Sequence, residues 1–466
     1  MLSDLEGDIT SKSNVHTLYV GGITTYVEDG NVQLTDNSQA NASDLEIEGG
    51  NLNAYVGGLA AYVIDGVSLN FDFSKDTGKF EGTIKAGNGE ANASANVIVG
   101  GLIGCTESAL TVNNLHYNGT ITANITNVTK GTYYAYAGVV GWAKESVTIT
   151  NSTTAGGIDV PKTTTIPNIQ MCYGGFVGLA EMNTTITGCE NSMSILFAAN
   201  TPSKSNGYPS HMGGIAGRIK AGTVLIENCK NTGNFQNYHY NNNWYLDLKP
   251  VATAGSAGKP SSAGGILGSY GFHSSLDIIE DNITIKNCTS ICKVQANRGI
   301  VAGIAGFVAN ATIEGCSFEG NMLAVGTQYN PYAAGIVGIA IDSTIKNCSA
   351  KADMQSAPGG SCHIRQGGIA AWIFTSNVEG CEYYGNTTFV ESAASTSSSI
   401  NDDFCGGIVG LVHDDTCVIK NCQFGGNLNG VAITANNYNN YVIGTATQGG
   451  WTVNPTIEGN QLWGGK

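Results

Sequence analysis

The sequence predicts an all-β chain, a right-handed parallel β-helix (β-solenoid) of about twelve coils with three short strands each. Three observations carry that prediction: an excess of glycine with few charges, a Gly-Gly-apolar motif that recurs along the whole chain, and a second motif of Ile-x-Asn/Gly-Cys form that follows it. Glycine supplies 64 of 466 residues and charged residues only 12%, against about 7% and about 25% in ordinary globular chains. The hydrophobic fraction of 42% suffices for a long core. No run reaches the roughly 18 consecutive apolar residues of a membrane span. A net charge of −15 with three arginines (Arg218, Arg298, Arg365) argues against a nucleic-acid or anionic-lipid partner, since both need a basic surface.

The first motif is anchored at Gly22, Gly58, Gly101, Gly138, Gly175, Gly214, Gly265, Gly303, Gly335, Gly368 and Gly407, with a weak copy at Val442-Ile443-Gly444. The anchors lie about 38 residues apart on average, a period that marks a repeat architecture. Residues 1–466 therefore read as one continuous solenoid domain. The longest repeat, between Gly214 and Gly265, carries an inserted loop over 236–262.

The second motif follows each anchor, as in Ile186-Thr187-Gly188-Cys189, Ile226-Glu227-Asn228-Cys229 and Ile345-Lys346-Asn347-Cys348. Its third position is always Asn or Gly, the residues that enter the left-handed region at low cost, so the chain bends there with positive φ. Strand alternation then turns the apolar residue and the Cys inward. A further short strand follows, as in Phe318-Glu319-Gly320-Asn321-Met322. A helical repeat is excluded because glycines interrupt every stretch that would need 3.6-residue periodicity.

Seven of the thirteen cysteines, Cys189, Cys229, Cys288, Cys316, Cys348, Cys381 and Cys422, share one place in their coils. They are expected to form a buried ladder of free thiols, because neighbouring rungs sit about 4.8 Å apart and a disulfide wants Cβ atoms at about 3.5–4.5 Å. Outside the column, Cys405 with Cys417 is the candidate bridged pair. There is no Cys-x-x-Cys, so neither a metal nor another cofactor is expected.

Gly-Gly-Ile-x-Gly followed by Ile-x-Asn-Cys-x-Asn-x-Gly, clearest from Gly213 to Phe235, resembles the glycine-rich GLUG-type repeats of bacterial surface proteins. Such repeats occur in adhesin-like proteins of gut Bacteroidetes and beside some immunoglobulin A peptidases. The resemblance spans residues 15–460 and implies an extracellular or cell-surface β-solenoid used as a stalk or adhesive segment. It implies no catalytic site, and the sequence contains no His-Glu-x-x-His.

The expected function is thus a non-catalytic adhesin or spacer segment whose partner is a glycan or a host or cell-surface protein. The candidate ligand residues are Tyr238, Tyr240, Asn242, Trp244 and Tyr245 of the inserted loop, because aromatic faces stack on sugar rings while amides meet hydroxyls. Tyr133, Tyr134 and Tyr136 form a second, weaker patch, their alternation with Ala135 suggesting partial burial. The alternative is a filament subunit that self-associates end to end, because the chain begins and stops at nearly the same phase of the repeat. A polysaccharide lyase or glycoside hydrolase ranks third, with Asp402, Asp403, His413, Asp414 and Asp415 as its only candidates and solvated turns as their simpler reading.

Overall fold

The computed structural model describes residues 17–22, 24–28, 31–32, 40–41, 45–48, 53–73, 79–88, 96–125, 133–160, 170–197, 210–237, 261–271, 281–297, 299–326, 331–358, 364–389, 404–448 and 451–464. The chain forms two compact units, Met1–His239 and Tyr240–Lys466. Among the described residues each is a stack of coils whose strands pair in parallel with their counterparts one coil on, the pattern of a parallel β-solenoid, with the short antiparallel strands Val431–Ala432, Thr447–Gln448 and Trp451–Thr452 added in the second unit. A representative coil of the first unit runs through strands Val97–Gly100, Ile103–Thr106, Leu110–Asn113 and His116–Ile125. These positions are called a, b, c and d below. In the second unit the same order appears as Gly299–Ala302, Ala305–Ala309, Ala311–Glu314 and Ser317–Gly326.

Four strands per coil correct the expected three. The Gly-Gly-apolar motif is a corner between strands a and b, where the sequence reading had merged the two into one. At Gly57, an added Cβ would overlap the carbonyl of Ala60, three residues further along the same chain. The next glycine faces the following coil: a Cβ on Gly101 would strike both the Gly138 carbonyl and the Tyr117 ring. A third glycine, in strand b, lies on the backbone of strand a from the preceding coil, with Gly104 at 2.7 Å from the Val56 carbonyl by the same measure. Sheets a and b pack this closely because these positions carry glycine or, at Ala61, Ala137, Ala302, Ala334 and Ala371, no more than a methyl group. The apolar residue after the corner pair fills the inside of the bend, and Leu102, Val139, Phe176, Ile304, Ile336 and Ile369 are all fully buried there.

The bend between c and d follows the sequence expectation. Asn114, Asn151, Asn228, Asn287, Asn347 and Asn421 have φ of 57, 48, 54, 52, 52 and 55°, and Gly188, Gly315, Gly380 and Gly459 share that region. Gly49 lies outside the described residues. In the second unit Asn and Gly alternate coil by coil, and the structure supplies the reason. The Asn347 Oδ1 lies 2.7 Å from where a Cβ on Gly380 would be, and Asn287 stands likewise at 2.8 Å from Gly315. An Asn side chain at one bend thus occupies the space that the next bend must leave empty.

Before the bend, Ile149, Ile186 and Ile226 in one unit and Ile285, Ile313, Ile345 and Ile419 in the other are fully buried columns in strand c. After it come the thiols. Among the described residues no helix is long and apolar enough to cross a membrane. In the last coil a 3-10 turn, Tyr438–Tyr441, replaces strand a. The Gly407 amide donates to the Tyr441 carbonyl at 2.6 Å and the Ile408 amide to that of Val442 at 3.0 Å.

The Asn–Gly contact is testable by coupling. Gly380→Asn retains a residue that tolerates positive φ, so its loss of stability reports the crowding, expected at about 1–3 kcal/mol. Adding Asn347→Gly should recover most of that loss in urea unfolding. Strictly additive effects would refute the contact.

Candidate functional site

The loop residues Tyr238, Tyr240, Asn242, Trp244 and Tyr245 lie outside the described residues, as do Asp402 and Asp403. The seven column cysteines are all free and buried. Each thiol donates back to the carbonyl two residues earlier, as from Cys348 to Lys346 at 3.3 Å and from Cys381 to Glu379 at 3.4 Å. Ser152 does the same to Thr150 at 2.7 Å in the fourth coil, and Leu115 is buried at this place in the third, so the column does not depend on sulfur chemistry. Contact with the adjacent Cys229 thiol, together with burial, raises the Cys189 pKa above that of an ordinary thiol.

Cys405 and Cys417, read as a bridged pair from the sequence, are both free thiols, with separate surroundings. Cys405 lies in strand a beside the Thr387 hydroxyl at 3.0 Å, and burial pushes its thiol up to about 12. Cys417 belongs to the b–c corner, where it accepts from the Ser376 amide at 3.5 Å as Ser376 accepts from the Ser343 amide at 3.0 Å. Burial lifts it to about 11.

The described surface feature with chemical character is a strip along strands a and b of the first unit. Register places Tyr26, Tyr62, Cys105, Trp142, Leu179 and Arg218 in one column on successive b strands. Tyr19 and Tyr55 stand beside it on strand a. Tyr19 stacks on Tyr55 and Tyr26 on Tyr62, with centroids 5.5 and 5.6 Å apart, and each rung closes edge-to-face, Tyr19 to Tyr26 at 5.1 Å and Tyr55 to Tyr62 at 4.9 Å. These are favourable aromatic geometries. Tyr26 is 38% exposed and Tyr19, Tyr133 and Trp142 are half-buried, whereas Tyr55, Tyr62, Cys105, Leu179 and Arg218 are buried beneath them. Of the tyrosines expected as a second patch, Tyr133 joins this strip, whereas Tyr134 and Tyr136 are fully buried on the opposite face of the strand.

Two residues beyond the aromatic column runs a column of alternating charge, Glu107, Lys144, Glu181 and Lys220. Lys144 pairs with Glu107 at 2.5 Å, and Lys220 pairs with Glu181. The Lys144 ammonium lies 4.9 Å from the Trp142 ring centre and 5.5 Å from that of Tyr62, and Lys220 lies 4.4 Å from that of Tyr133, within cation–π range. The Trp142 indole donates to Glu181 at 3.1 Å and the Tyr62 hydroxyl to Glu107 at 2.5 Å. Hydrogen bonds from Lys144 and then Tyr62 hold the Glu107 carboxyl below its usual range. For Lys144, burial works toward a lower pKa, but bonding to Glu107 outweighs it and the net shift is upward. Burial raises Tyr55 to about 12.

A smaller aromatic group occupies the equivalent b-strand column in the second unit, where Phe307, Ile339 and Trp372 are in register. Tyr332 stacks on Trp372 at 6.1 Å, and His413 lies 5.0 Å from Phe374. The neighbouring acids organise turns. Asp414 accepts from the Thr416 amide at 2.8 Å and from the Thr375 amide; burial alone would raise its pKa, but the bonds from Thr416 and Thr375 prevail and lower it. Asp415 accepts from the Asn454 amide at 2.5 Å. Among the described residues no three His, Cys, Asp or Glu side chains gather as metal ligands. No family model, curated protein or solved structure matches the chain.

The strip had a signal in the sequence. Tyr26, Tyr62, Trp142 and Trp372 each stand four residues past the second anchor glycine, so aligning repeats on that glycine puts them in one column. Because Glu107 ionises more readily in the folded state, its contribution is complete above the ordinary value of 4.5 and is lost as pH falls through the lowered folded value. Glu107→Gln should therefore cost less than about 1 kcal/mol at neutral pH, given the exposure of the pair. Thermal melts of variant and parent should converge in strong acid. A difference that persists or grows at low pH would contradict the assigned pairing.

Proposed function

We propose that the chain is a non-catalytic adhesive or spacer segment of a cell-surface or secreted protein, akin to the GLUG-type repeats it resembles, and that it holds a glycan on the strip of the first unit. The observation that carries this reading is the group of partly exposed rings, Tyr19, Tyr26, Tyr133 and Trp142, packed over the buried Tyr62 beside Lys144 and Lys220. The parts of these rings left uncovered by their neighbours can meet the C–H surface of a sugar, while the adjoining carboxylates and ammonium groups can meet hydroxyls. Such a surface suits binding better than chemistry, since its carboxylates are engaged by lysines and by the Trp142 and Tyr62 donors. The end-to-end filament has less support: the final strand-a edge is already hydrogen-bonded to the Tyr438–Tyr441 turn. The inserted-loop aromatics remain part of the proposal as a second contact.

A glycan array read with the parent chain, Tyr26→Ala and Trp142→Ala tests the assignment, with circular dichroism checking that each variant folds. Tyr26→Ala removes the most exposed ring of the row and should weaken binding about three- to tenfold. Trp142→Ala should weaken it further. Glycan binding indifferent to both substitutions would remove the strip as the site.

A further inference from the structure

We infer that the second unit carries a docking surface of its own, for a basic segment of a partner polypeptide that also presents aromatic or aliphatic side chains. It lies six residues past each anchor glycine, the place where the first unit sets Glu107, Lys144, Glu181 and Lys220. In the second unit that place holds Ala309, Ile341 and Phe374 in register. His413 follows on the next coil, its amide bonded to the Ile373 carbonyl. A column of alternating charge in one unit is thus an apolar column in the other. Phe374 is 36% exposed, and Ala309, Ile341 and His413 are half-buried. Tyr332 and Trp372, also half-buried, adjoin it over the buried Ile300, Phe307 and Ile339. Tyr332 stacks on Trp372, and the His413 ring lies against Trp372 and Phe374. Because these rings partly cover one another, the surface suits side-chain packing better than a sugar laid on an open face.

The rim of this surface is acidic. Asp342 directly follows Ile341, and Asp414 and Asp415 directly follow His413. Asp342 and Asp415 are exposed and Asp414 is half-buried. Backbone amides bond to Asp414 and Asp415, yet among the described residues no lysine or arginine pairs with any of the three. Glu107 and Glu181 in the first unit each have a lysine. An apolar patch with a polar rim marks a protein-interaction surface, and carboxylates left without a cation at its edge select a partner that brings lysine or arginine. A second copy fits poorly, because a two-fold contact sets the same acids against one another between chains of net charge −15. From Ala309 to His413 the column crosses four successive b strands or their ends. At about 4.8 Å per coil that is roughly 14 Å, the length of about four residues of extended chain.

The probe is a displayed library of random dodecapeptides selected on the full chain, with Phe374→Ala and Asp342→Asn as the variants. Both side chains are exposed, and Asn tolerates the φ of 47° at position 342, so circular dichroism should not change. Selected peptides should combine aromatic or branched aliphatic residues with lysine or arginine. Phe374→Ala should weaken their binding about three- to tenfold. Asp342→Asn should weaken it about two- to threefold at low salt, an effect that shrinks as salt is raised. General attraction of cations to an acidic chain would survive both substitutions, so a selection that yields no peptide sensitive to Phe374→Ala would overturn the inference. Selected peptides without basic residues would overturn it as well. Sedimentation showing self-association that Phe374→Ala abolishes would give the face to a second copy and overturn the polypeptide partner. None of these outcomes bears on the strip of the first unit, whose glycan test rests on Tyr26 and Trp142.

Discussion

Backbone meets backbone at the glycine corner, and the rest of the structure depends on that approach. Where strand a turns into strand b, the position a Cβ would take is filled by the carbonyl three residues on, at Gly57, Gly100, Gly367 and Gly406 in turn. Alanine replaces this glycine at Ala137, Ala302 and Ala334, whereas the glycine that follows stands at all eleven anchors, because its Cβ would strike the backbone of the next coil, as Gly101 would the Gly138 carbonyl. Sheets a and b are thereby brought close enough for the b-strand glycine to rest on the neighbouring a-strand backbone, and the apolar residue after the corner is driven into the core. A high glycine content and a low charge content then have one cause. The chain packs main chain against main chain, and the surface it needs to cover with charge is correspondingly small.

Stacking converts this local geometry into columns. Parallel pairing repeats the same side-chain position every coil, so a residue chosen once is read many times. The isoleucines of strand c and the residues after the corner supply burial, while Cys and Ser cap carbonyls at the bends and Leu115 fills the same place in one coil. The cysteines need no redox role under this account. Ser152 in the thiol column, and Cys417 among the serines Ser343 and Ser376, show the two residue types exchanging as small donors.

The sequence was legible wherever a residue type has a single physical use. Asn or Gly at the c–d bend announced positive φ, and the ten described copies adopt it. Cysteines following that bend announced burial. The fourth strand was not legible, because a Gly-Gly pair reads equally as a weak strand or as a corner until the distance to the residue three positions on is known. The Cys405–Cys417 bridge failed for a related reason: closeness in sequence says little when consecutive corners lie on different sides of a coil. The aromatic strip depends on superposing coils, and its members are far apart in sequence. Tyr133 was visible only as part of a local run whose other tyrosines face the core.

The strip inherits its straightness and spacing from the corner, since the same glycine sets the phase of every b strand. The most direct test of that dependence compares two alanine substitutions in the first unit. At Gly175 a Cβ would strike the Gly214 carbonyl of the next coil, whereas at Gly157 the nearest atom is the Ser194 carbonyl at 3.4 Å. Urea unfolding should show Gly157→Ala within about 0.5 kcal/mol of the parent and Gly175→Ala destabilised by about 3 kcal/mol or unable to fold. Equal effects at the two sites would contradict the claim that backbone approach at the corner holds the fold.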